Sequence, residues 1–70
     1  MIGTQIKNYI YGAGLKYGPV AEKAGIPLNV FSAIINNKRK ITVEEYFAIC
    51  EALGVNIDTF YDLEKNDTLN

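Results

Sequence analysis

Seventy residues, 49% of them hydrophobic, make one small globular domain near the size at which a single core suffices only marginally, with no room among them for a second. A lone cysteine excludes an internal disulfide, and the lack of histidine removes the commonest metal ligand and the commonest general base near neutral pH, so the sequence reads as a non-enzyme without a cofactor. No apolar run approaches the roughly 20 residues of a membrane span, and the start MIGTQIKNYIYGAG lacks a basic segment followed by a continuous apolar stretch, so a cytoplasmic protein with no membrane partner is expected.

The formal net charge is −1, but it is unevenly placed. Residues 1–40 hold Lys7, Lys16, Lys23, Lys38, Arg39 and Lys40 against Glu22 alone, whereas residues 41–70 hold Lys65 against seven acids. A basic half beside an acidic half suits a chain with one face for a polyanion and another for something else, because a local patch sets the field that a nearby ligand feels.

Strand-type alternation is not sustained anywhere, so the expectation is all-α, a compact five-helix bundle over residues 1–63 followed by a frayed polar tail, 64–70. Ile2, Ile6, Tyr9, Ile10 and Ala13 recur at helical spacing after a Thr4 cap, which predicts a first helix at about residues 4–13, with Leu15 tucked inward from the connection. A short second helix runs from Tyr17 or Gly18 to Ala24, with Pro19 in the first turn and Gly25 as its left-handed cap. Pro27 opens a third helix that ends near Asn36, with Asn37 taking the left-handed conformation. Thr42 and Glu45 form a capping box for a fourth helix carrying Val43, Tyr46, Ile49, Cys50 and Leu53 inward, with Phe47 at the edge, to Gly54. A last short helix reaches Leu63, with Ile57 and Phe60 packing back.

The third helix carries the strongest functional signal. Val30, Phe31, Ile34 and Ile35 share one apolar face, and the opposite stripe is Asn29, Ser32, Ala33 and Asn36. A merely solvated face would favour long Glu, Lys or Gln side chains; short uncharged ones let another surface approach the backbone. Two helices joined through Gly25 make a helix-turn-helix, whose second helix enters the DNA major groove. Asn29 could pair with adenine N6 and N7, while Leu28 and Ala33 could meet thymine methyls. Lys38, Arg39 and Lys40 follow directly and suit phosphates, and the further DNA-binding candidates are Ser32, Asn36 and Asn37 along and after the third helix and Lys16 and Tyr17 at the start of the second. The acids Glu44, Glu45 and Asp58 sit at helix starts, where the dipole explains them without catalysis.

These segments resemble the XRE family of Cro and lambda-repressor-like regulators over residues 4–63, on VAEKAGIPLNVFSAIINNKRK and AICEALGVNIDTFYDL. Ala21 and Gly25 stand at the family's small residue and turn glycine, Ser32 at a frequent serine, and ALGV at 52–55 closes the fourth helix in the family's manner. The resemblance implies a five-helix DNA-binding domain of a bacterium, phage or mobile element. It implies a homodimer on paired half-sites, acting as a transcriptional repressor or switch, with double-stranded DNA as partner and Ile57, Phe60 and Tyr61 as the dimer surface. Departures are Tyr17 in place of a glutamine, Leu28 and Asn29 at the first reading positions, Asn37 in place of a glycine, and the apolar pair Ile10 and Ile35 in place of a buried arginine and glutamate. The competing reading is a protein-interaction module on the same scaffold, antitoxin-like or an accessory subunit, with a regulatory protein as partner.

Overall fold

The structure is a computed structural model that describes residues 1–60. Four helices, α1 (Ile2–Gly12), α2 (Tyr17–Ala24), α3 (Leu28–Ile35) and α4 (Val43–Leu53), are followed by a helical turn that begins at Asp58 and is described as far as Phe60; the described residues contain no strand. The all-α, five-helix expectation is met. Tyr61, the end of the last helix and the tail lie outside the described residues.

The core follows the helical spacing. Ile6 and Ile10 from α1, Phe31 and Ile35 from α3 and Ile49 from α4 are each fully buried, joined by Val20, Ala21, Ile26, Tyr46, Cys50 and Phe60. α1 packs on α3, and α2 packs on both α3 and α4. Ile10 and Ile35 fill with hydrocarbon the interior positions where the family often has an ion pair, which avoids desolvating two charges. Phe60 closes the base of the bundle, edge-on to Tyr9 at a ring-centroid distance of 5.8 Å and to Tyr46 at 6.5 Å. The Tyr46 hydroxyl donates to the Ile57 carbonyl, so the chain after α4 is tied to the core by a polar bond as well as by Phe60.

Several boundaries and burials differ from expectation. α1 starts two residues early, with Met1 at its N-cap, and Thr4 makes no cap; its hydroxyl is used elsewhere, as described below. Ala13 and Leu15 lie past the last turn of α1 and are exposed, because no element among the described residues covers that corner. Val43 is exposed because it is the first residue of α4, where a side chain leans back toward the N-terminus and finds only the preceding loop. Phe47 and Ile57 are also about half exposed. Together with Ile2, Ile41 and Val43 they line an apolar cleft of about 690 Å³.

Gly3 has a packing role that composition alone does not disclose. A Cβ on Gly3 would overlap the Ile34 carbonyl oxygen and crowd the Asn37 side chain, so the start of α1 lies directly against the end of α3.

Candidate nucleic-acid interface

The link between α2 and α3 is three residues long, 25–27. Gly25 adopts φ 73 and ψ 26, the left-handed conformation that ends α2, and the Ile26 N–H donates back to the Ala21 carbonyl at 2.9 Å. Ile26 is itself buried, which pins the turn to the core. Pro27, at φ −56 and ψ 142, turns the chain into α3, whose first bond runs from the Phe31 N–H to the Pro27 carbonyl at 2.9 Å.

On α3 the buried face is Phe31, Ile34 and Ile35 with Val30 partly covered, as the spacing predicts. On the other face Leu28, Asn29 and Asn36 are exposed, while Ser32 and Ala33 are half-buried, so the stripe is shallow along its middle and open at both ends. Lys38, Arg39 and Lys40 all reach solvent directly after it. Lys16 is the exposed N-cap residue of α2. Tyr17, by contrast, turns partly inward, with its ring 6.3 Å from that of Phe31. Lys16 thus stands exposed at the start of the helix-turn-helix, and the cations 38–40 stand exposed directly after its second helix.

The end of α3 is left-handed at Asn37, as expected, but two side-chain bonds that spacing did not anticipate also shape this surface. Asn37 adopts φ 60, and the Lys38 N–H closes on the Ala33 carbonyl at 2.8 Å, a left-handed end to α3. The Asn37 side-chain amide donates to Thr4 Oγ1 at 2.7 Å, tying this corner to α1. Asn36 is also bridged: its Oδ1 accepts from Lys7 Nζ at 2.7 Å, and its Nδ2 donates to the Ser32 carbonyl at 2.9 Å.

Arg39 is engaged as well. Its Nη1 donates to Glu45 Oε1 at 2.8 Å, and the same oxygen accepts from the Thr42 N–H at 2.9 Å, completing the expected capping box of α4 with the Glu45 N–H on Thr42 Oγ1. The Arg39 hydrogen bond and the Thr42 N–H hold the Glu45 carboxyl down to about 2, and Glu45 in turn raises the Arg39 guanidinium. Arg39 therefore staples the loop to α4, whereas Lys38 and Lys40 have no carboxylate partner among the described residues. Cys50, deep in the core, has its thiol pushed up by burial, in keeping with a packing role.

Two short helices joined by a buried-anchor turn, with the second presenting an open stripe, define a helix-turn-helix protein. The family model HTH_3, described as helix-turn-helix, matches residues 7–60, and the chain belongs to this XRE-type family of DNA-binding regulators, which is not a family of enzymes. No curated protein and no solved structure matches the chain. No helix among the described residues is long and apolar enough to cross a membrane.

Of the three residues expected at a dimer surface, Ile57 is exposed on the apolar cleft and Phe60 is buried in the core, where its ring is already packed. Tyr61 lies outside the described residues. Sequence reasoning missed Lys7, Thr4 and Gly3, which act across about 30 residues of chain and leave no periodic trace. The Arg39–Glu45 pair left a weak one, a cation just upstream of a capping-box glutamate.

Proposed function

We propose that this protein is a cytoplasmic, sequence-specific regulator of transcription that binds double-stranded DNA as a homodimer and represses by occupying an operator. The observation that carries this reading is the outward stripe of α3, short and uncharged from Asn29 to Asn36, leading directly into Lys38 and Lys40. In this reading Asn29 meets an adenine edge and Leu28 and Ala33 meet thymine methyls, with Ser32 beside them at closest approach. Lys16, Lys38 and Lys40 meet phosphates, and Arg39 contributes charge while holding the loop. Tyr17 supports α3 through Phe31, and Asn36 and Asn37 shape the exit of the helix.

Substitutions separate reading from positioning. Asn29→Ala is expected to cost about 1–3 kcal/mol on the preferred operator and to leave the salt dependence unchanged. Lys38→Gln is expected to weaken all duplexes alike and to flatten log K against log salt by about 0.9. Titrations of both variants on operator and random duplexes check this, and equal losses of Asn29→Ala on the two DNAs would remove its reading role.

A second copy of the chain is the proposed occupant of the apolar cleft bordered by Ile57, Val43 and Phe47, whose exposures of 53%, 67% and 48% are high for large apolar side chains sharing one surface. A regulatory protein docking at the same cleft is the second reading, favoured by the same apolar exposure and by Asp58 at its border.

A further inference from the structure

We infer that Lys7, on the helix that precedes the helix-turn-helix, is a further phosphate-binding residue of the DNA interface, held in position by Asn36; the inference rests on the DNA-binding reading above. Lys7 lies 29 residues from Asn36 in sequence, yet its ammonium reaches the exposed end of α3 and donates to Asn36 Oδ1 at 2.7 Å. The other end of the Asn36 amide is turned back on its own helix, onto the Ser32 carbonyl at 2.9 Å and the Ser32 hydroxyl at 3.4 Å. With both ends engaged inside the protein, Asn36 offers no free donor–acceptor pair to a base edge, and serves instead as the bracket that carries Lys7.

Stability alone does not account for the bridge. Fixing a long lysine side chain costs rotamer entropy comparable to what one exposed hydrogen bond to a neutral acceptor returns. No carboxylate among the described residues pairs with Lys7. An ammonium has three donors and Asn36 takes one, which leaves two for an oxygen outside the protein. The site also lies at the C-terminal end of α3, where the helix dipole favours a cation, on the corner from which Lys38 projects. Lys7 thereby extends the basic surface from the loop after α3 onto α1.

The test is binding of the whole 70-residue chain to a random-sequence duplex and to its preferred operator across a salt series, with circular dichroism to confirm folding. Lys7→Gln is expected to flatten log K against log salt by about 0.9, equally on both duplexes, and Lys7→Arg to restore the wild-type slope. A slope in Lys7→Gln equal to that of the wild type overturns the inference, including the case in which affinity falls but the slope does not, since that marks Lys7 as a structural brace only. Absence of salt-sensitive binding by the wild-type chain would instead bring down the DNA-binding reading itself.

Discussion

At the scale of single residues, Glu45 joins two tasks: closing the α4 capping box with Thr42 and holding Arg39. Its carboxyl lies at about 2, against an ordinary value of 4.5. Because the folded-state value is depressed, the stabilisation is present above the ordinary carboxylate range and is lost as pH falls from about 4.5 to about 2. Glu45 is mostly covered but Arg39 is 41% exposed, so solvent screening keeps the effect small. Thermal melts between pH 7 and pH 2 are expected to show Glu45→Gln less stable than the wild type by at most about 1 kcal/mol at neutral pH, through loss of the charge that faces Arg39, since glutamine keeps an oxygen for the Thr42 N–H. The two proteins should converge in acid. A constant difference down to pH 2 would mean that the carboxylate's charge is not what stabilises the cap.

At the scale of elements, the contact between α1 and α3 sets where α3 points. Gly3 rests on the Ile34 carbonyl, and Thr4 and Lys7 bridge to Asn37 and Asn36. Gly3→Ala sets two effects against each other. Alanine favours helix over glycine by at most about 1 kcal/mol, and less in a first turn. The added methyl would meet backbone, which cannot swing aside as a flexible side chain can, and overpacking costs about 1–3 kcal/mol. Calorimetry is expected to show a lower Tm for Gly3→Ala; an unchanged or raised Tm would mean that α1 shifts freely on α3.

The same elements show what the sequence could and could not disclose. All four helices were legible from 3.6-residue spacing, and their ends from Gly25, Asn37, Gly54 and the Thr42–Glu45 box, because those signals are local and chemical. The exposed stripe of α3 was legible for the same reason. The α1–α3 bridges were not, since a hydrogen bond between residues about 30 apart depends on how the helices pack. Thr4 was misread as a cap because its neighbourhood fits a helix start, whereas the packed chain gives its hydroxyl to Asn37. Phe60 packs back as the spacing predicts, its ring set between those of Tyr9 and Tyr46, whereas Ile57, expected inward with it, is exposed because the chain after α4 leaves it on the cleft.

At the scale of the whole molecule, the basic and acidic halves fall on different parts of the fold: the cations of residues 1–40 flank the helix-turn-helix, while Glu44, Glu51 and Asp58 are exposed on α4 and after it. The apolar cleft begins directly after those cations, at Ile41 and Thr42, and is the proposed seat of a second copy. A twofold dimer through it is expected to place two reading helices on half-sites about one helical turn, roughly 34 Å, apart. Sedimentation should show dimers on DNA that Ile57→Lys disrupts; a strict monomer both free and on DNA would refute the pairing.

Binding of double-stranded DNA through an electrostatic and a reading component is proposed for this chain, and the salt dependence of wild-type binding to random-sequence duplex tests it most directly. With Lys16, Lys38 and Lys40 on phosphates in each protomer, log K is expected to fall linearly with log salt at a slope of about −0.9 for every phosphate neutralised. Binding that is measurable at low salt and falls steeply with added salt is the predicted result. No detectable binding to duplex DNA at low salt would contradict the account.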